Sequence, residues 1–212
     1  MVLQAIQAAE NAVRQYGTRD PFEIIDARGI RLRFFDAARL PGYFTVVKRI
    51  QYIGLNRNAD EHHMRTVAAH ELGHSFLDYE EAAAGGEMQN PLLFTYLNGR
   101  QEQNANFFAA ELLIPDKDIL AAACHDAYME TVRCIHSHID EYPDASDRDS
   151  FRQCCMLQFY EEHDLPTIEA LAAHFRVAQE LIRFKLQALA RKGLELPDIH
   201  TARSDFLRHL QN

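Results

Sequence analysis

The sequence predicts an α+β protein: a small mixed or antiparallel sheet packed on one helix that carries the chemistry, followed by an all-helical C-terminal part. Three observations carry this reading. Apolar residues recur at helical spacing over most of the chain. The period switches to alternation only between residues 30 and 56, and a His-Glu-x-x-His pattern follows that stretch.

Taken in order, Val2, Ile6, Ala9 and Val13 line one side of a helix over residues 2–16, which Gly17 stops. Asp20 followed by Pro21 is an N-cap with a first-turn proline, and opens a short helix that Gly29 closes. Ile30, Leu32 and Phe34 then alternate with arginines. After Pro41-Gly42 come YFTVVKR and IQYIGLN, so three short strands are expected, the last over 50–56. Asp60 caps a helix running to about Tyr79. A loop with Gly85-Gly86, Pro91 and Asn98-Gly99 leads to a second helix from about Arg100 to Ile114, ended by Pro115. Residues 116–141 and 149–163 read as two more helices, and Pro166-Thr167 opens a last helical segment with Gly193 after it. The expected division is a core over 1–120, a helical insert over 121–165 and a helical tail over 166–212.

Composition narrows the partners. The chain has 212 residues, 47% apolar and 25% charged, so it is long enough for a core and ordinary in usage. Net charge is −9. Residues 166–212 hold seven basic and five acidic side chains, so the first 165 carry the whole deficit, 15 basic against 26 acidic. Strong nucleic-acid binding is not expected from such a balance, nor attraction to an anionic membrane. No apolar run is long enough to span a bilayer. The N-terminal stretch lacks a basic leader and Glu10 interrupts it, and the four cysteines form no C-x-x-C. Both features suit a cytoplasmic protein.

The chemistry concentrates in VAAHELGHSFLDYE. His70 and His74 are four residues apart, close to one helical turn of about 3.6, so both imidazoles leave one face and can meet one cation. Glu71 lies one residue on, within reach of a water at that cation. With this chain's composition the pattern is expected by chance about 0.04 times. The ion that suits such a site is zinc, one per chain. A third ligand is needed. The short-spaced solution fails, because Leu77 and Glu80 replace its glycine and histidine. Glu102, at the start of the next strong helix, is favoured because helix-borne ligands are held rigidly. Glu80, Glu81 and Glu87 compete from in or beside the loop. Asp78 and Asn106 are placed to orient the ligand histidines.

These residues sit in a wider pattern. Tyr16 to Ile24 reads YGTRDPFEI, Arg65 precedes Ala69 to His74, and Glu102 to Pro115 reads E-x-x-A-N-x-F-A-A-E-L-L-x-P. Together they resemble the ImmA/IrrE family of metallopeptidases over roughly residues 10–120. The resemblance implies a zincin-like core with His70, His74 and Glu102 as metal ligands and Glu71 as general base. It also implies a helix-turn-helix repressor as substrate, in the regulation of mobile elements or stress responses. One position departs: Asn104 stands where the family often has an acidic residue before the Ala-Asn pair.

Four further features are candidates. Strand Ile50–Asn56, directly before the helix, is the expected edge on which an extended substrate chain adds. Tyr43, Tyr52 and Tyr96 could each donate to an oxyanion. Residues 124–163 gather Cys124, His125, Cys134, His136, His138, Cys154, Cys155 and His163, at spacings matching no zinc pattern. The tail resembles a helix-turn-helix unit whose second helix carries Arg183, Lys185 and Arg191, with Lys192 just after, too little charge for strong DNA reading. An alternative to the enzyme is therefore a metal-containing regulator without turnover, acting through that tail.

Overall fold

A computed structural model describes residues 2–84 and 99–199. The elements in chain order are α1 (Val2–Tyr16), α2 (Pro21–Ala27), β1 (Arg31–Phe35), β2 (Gly42–Val47), β3 (Ile50–Asn56), α3 (Glu61–Leu77), α4 (Tyr79–Ala84), α5 (Gly99–Leu113), α6 (Asp116–Ala122), α7 (His125–His138), α8 (Ala145–Glu162), α9 (Ile168–Phe175) and α10 (Gln179–Arg191). No strand lies beyond residue 120 among the described residues. The α+β class is as the sequence predicts.

Caps set the helix starts. Asp20 accepts from the Phe22 amide at 2.8 Å, Asp60 from His63 at 2.9 Å, and Thr167 from Ala170 at 3.1 Å. Two helix boundaries differ from expectation. The segment 116–141 is broken at Cys124, which is left-handed at φ 52° and separates α6 from α7. The next helix starts at Ala145 rather than 149, after Asp144.

The sheet is mixed, in the order β1-β3-β2. β1 runs parallel to β3, and β2 runs antiparallel to it. Lys48 and Arg49 join β2 to β3 with both φ angles positive, 52° and 64°, the backbone a two-residue hairpin requires. Asn56 locks the other end by donating to the carbonyls of Ala37 at 2.6 Å and Leu40 at 3.0 Å. These ties hold the β1–β2 connection over the end of β3. The strand expected at the edge, Ile50–Asn56, is therefore central, with hydrogen bonds on both sides. That corrects the sequence reading: alternation locates strands but says nothing about their lateral order. Among the described residues, the strand beside the helix that is paired on one side only is β2.

α3 is buried on more than one side, through Val67, Ala68, Ala69, Leu72 and Gly73. It packs on β2 and β3 and, more extensively, on α5. α1 lies on α5 through the small residues Ala5, Ala9 and Ala12. The helices of the tail are not apart from this. Ile168, Leu171, Leu181, Ile182 and Leu189 join the same buried cluster as Ile24, Phe44, Ile53, Leu72 and Phe108. Lys185 on α10 is fully buried and donates to Glu111 at 2.7 Å and also to Asp116. Lys192 reaches Glu10 at 2.8 Å, Glu111 at 2.9 Å and Asp116 at 2.8 Å. This network ties α1, α5, α6 and α10 at one point. Two residues that sequence reading assigned to DNA charge are thus consumed in ion pairs.

Candidate metal centre and its cleft

His70 and His74 leave the same face of α3, as their spacing requires. Their Nε2 atoms are 3.2 Å apart. Glu102, from the first turn of α5, brings Oε2 to 3.1 Å from His70 Nε2 and Oε1 to 3.4 Å from His74 Nε2. A tetrahedral ion with bonds of about 2.0–2.1 Å spaces its donor atoms about 3.3 Å apart. The three separations match that edge, and two imidazoles with one carboxylate form the donor set of catalytic zinc. The residues fit the ion.

The outer nitrogens are fixed as well. His70 Nδ1–H donates to Asn106 Oδ1 at 2.9 Å, and His74 Nδ1–H to Asp78 Oδ2 at 2.6 Å. Each bond selects the tautomer whose Nε2 lone pair points inward. The structure thus brings both residues named from sequence as orienting partners, Asp78 and Asn106, to the outer nitrogens of the pair.

The electrostatics favour positive charge. Without a cation, burial works against protonation of His74, but its hydrogen bonds to Asp78 and Glu102 prevail and hold its pKa at about 10. Burial likewise opposes ionisation of Glu102, yet the bonds from His70 and His74 pull it down to about 2. A proton on His74 compensates the carboxylates that a divalent ion would otherwise meet.

Glu71 is buried beside this group and makes no hydrogen bond to any described residue. Burial pushes its pKa up; His70 and His74 draw it down and Glu102 pushes it up further, with a net rise. Its Oε1 lies against Gly42 on β2: a Cβ added there would stand 3.1 Å from Oε1 and 2.4 Å from Val67 Cγ1. Only glycine leaves the carboxylate that room.

The group opens into a cleft of about 290 Å³ between α3, the β2 side of the sheet and the start of α5. Its lining adds Tyr43, Phe44, His63, Thr66 and Gln101 to the residues already named. Of the tyrosines singled out from sequence, Tyr43 stands on β2 at the rim of the cleft, with its ring turned over Gly54 and against Phe35. Tyr52 stands on the sheet beside Arg31 and Arg33, and Tyr96 lies outside the described residues, as does Glu87. Glu80 and Glu81 are on α4, with Glu81 bonded to Gln101. His63 and Thr66, two turns and one turn before His70, went unremarked in the sequence; their i−7 and i−4 spacing from His70 was the available signal.

Among the described residues, one other group brings three ligand atoms together, Glu10, Glu111 and Asp116, and the two lysine ammoniums fill it. The cysteines and histidines of 124–163 form no such group there. No helix among the described residues is long and apolar enough to cross a membrane.

Fold and site together define an α+β protein in which a sheet edge and a histidine-bearing helix enclose a cleft that holds a cluster of possible metal ligands. The chain belongs to the IrrE N-terminal-like domain family, Peptidase_M78, whose model matches residues 25–142. It is also 31% identical over 110 residues to a Bacillus phage phi105 protein described as "Uncharacterized immunity region protein 2". That alignment covers 51% of this chain and 67% of the phage protein.

Proposed function

We propose that this protein is a zinc-dependent endopeptidase that inactivates a helix-turn-helix repressor by cutting it. The observation that carries the reading is the pairing of a three-donor set with an uncommitted, buried carboxylate facing the same cleft. A group merely storing a metal has no use for Glu71 there. When bound, zinc supplies Lewis acidity: it polarises a carbonyl and lowers the pKa of water to about 7. His70, His74 and Glu102 would hold it, with Asp78 and Asn106 fixing the imidazoles. Glu71 accepts the proton of the attacking water and delivers it to the leaving amine nitrogen. The open side of β2 holds the substrate chain extended across the cleft.

The choice of substrate has separate support. The ImmA/IrrE resemblance implies a repressor, and the phage relative bears the name of an immunity region protein. A cytoplasmic setting fits the free cysteines. The regulator without turnover is less well supported, because α10 turns Leu181, Ile182, Lys185 and Leu189 inward.

The test is co-expression with a repressor encoded beside this gene, followed by mass spectrometry of the fragments. Wild type should cut at one or a few sites, and Glu71→Gln should bind zinc normally and leave the repressor intact. Equal cutting by both proteins would remove the enzyme reading. Zinc-loaded wild type that leaves every neighbouring repressor whole would remove the substrate.

A further inference from the structure

Charge on this acidic chain is segregated. Residues 28–57, the sheet and its connections, hold seven Arg and Lys with Asp36 as their one acid, on a chain of net charge −9. Strand register places Arg31 beside Tyr52 and Arg33 beside Gly54, then Tyr43 beside Gly54 and Thr45 beside Tyr52. Paired neighbours project from the same side of a sheet. Arg31, Arg33, Phe35, Tyr43 and Tyr52 therefore share one face, while Phe44, Val46, Ile53 and Leu55 are buried on the other.

That face has a built floor. The rings of Phe35 and Tyr43 lie 5.3 Å apart. Tyr43 fills the space over Gly54, where a Cβ would stand 2.2 Å from its ring. Both Arg31 and Arg33 place their guanidinium carbons 5.9 Å from the centre of the Tyr52 ring. Both arginines are exposed, and neither meets a carboxylate among the described residues. Two guanidiniums on one strand face repel each other, and Tyr52 is the one ring they share.

We propose that this sheet face docks an acidic polypeptide segment as it leaves the cleft. Arg31 and Arg33 are two residues apart on a strand, about 6.6 Å, the same spacing as carboxylates at alternate positions of an extended chain. Guanidinium forks suit carboxylates, and the aromatic floor offers apolar contact between them. Strand β2 borders both surfaces: Gly42 and Phe44 line the cleft, while Tyr43 between them turns its ring over Gly54 and against Phe35 on this face. The choice of polypeptide over nucleic acid rests on the peptidase reading; the preference for negative charge does not.

The experiment uses full-length, zinc-loaded Glu71→Gln and fluorescence anisotropy, so that binding is read without cutting. The probes are a short labelled peptide alternating Glu and Ser, its Lys-Ser counterpart, and labelled oligothymidylate. The acidic peptide should bind saturably and weaken with salt, and the basic one should not bind. Arg31→Glu with Arg33→Glu should weaken the acidic peptide at least about tenfold, ~1.4 kcal/mol, with the double Gln variant in between. Absence of saturable binding, or unchanged binding by both double variants, would overturn the proposal. Tighter binding of oligothymidylate, lost on the same substitutions, would reassign the face to nucleic acid and equally overturn it. A peptide that docks on wild type but is never cut would leave the docking in place and count against the peptidase.

Discussion

Gly73 and Ala105 meet backbone to backbone: a side-chain carbon on Gly73 would stand 3.1 Å from the Ala105 α carbon, 3.3 Å from its carbonyl oxygen and 3.2 Å from Phe108 Cβ. This contact sets how closely α5 approaches α3, and hence where Glu102 stands relative to the two histidines. The metal geometry is thus limited by a residue that touches no ligand.

Gly73→Ala should push the helices apart by a few tenths of an ångström. The expected cost is about 1–3 kcal/mol of stability, as for other overpacked contacts, together with weaker zinc binding. Chemical unfolding and zinc titration read the two effects separately. Wild-type zinc affinity in a destabilised Gly73→Ala protein would uncouple this contact from the metal site.

The ligand set makes a sharper claim. Glu102→Ala should lose bound zinc on elemental analysis, and Glu80→Ala and Glu81→Ala should keep it. Asp78→Asn and Asn106→Ala remove orienting partners only, so affinity should fall about 10–100-fold while stoichiometry stays at one. Retention of zinc by Glu102→Ala would transfer the third ligand elsewhere.

The sequence made some of this legible for identifiable reasons. Asp60 and Pro115 end their helices by local chemistry, so α3 and α5 lie within a residue or two of their expected ends. Helical spacing puts His70 and His74 on one face, Asp78 one turn after His74 and Asn106 one turn after Glu102; Glu102 itself is favoured over Glu80, Glu81 and Glu87 only for its place on a helix. Strand order was invisible, because β3 is central through backbone ladders to β1 and β2, which alternation in the sequence does not encode. Lys48-Arg49 lacks the Gly or Asn that usually marks such a turn, and Cys124 breaks a helix without glycine or proline. Lys185 falls on the buried stripe of α10, between Ile182 and Leu189, a position that periodicity assigns to an apolar residue.

DNA binding by the tail should be weak. Lys185 and Lys192 are neutralised by three carboxylates, and Arg191 lies 5.5 Å from the centre of the Phe107 ring. Few cations remain to release counterions from phosphate. Submicromolar, salt-sensitive binding of duplex DNA, retained in the Arg31→Glu/Arg33→Glu protein but lost in Arg183→Glu, would contradict this.

The lysine network predicts both a stability and its loss in acid. Burial opposes the charge on Asp116, but the Lys185 and Lys192 ammoniums outweigh it and hold the carboxyl below its usual 3.8. A group whose folded pKa is lowered binds fewer protons folded than unfolded. Its contribution is present above the unfolded value and disappears as pH falls through the folded one. Asp116→Asn should therefore be less stable than wild type at pH 7, and the gap should narrow below about pH 4. Urea midpoints at a series of pH values measure it. Lys185→Ala should cost more, about 3–5 kcal/mol, because it leaves Glu111 buried with half its partners gone. Lys185→Met, with Glu111→Gln to remove the stranded charge, should recover part of that loss. If Lys185→Ala unfolds at the wild-type urea midpoint, the network does not hold α10 to the core.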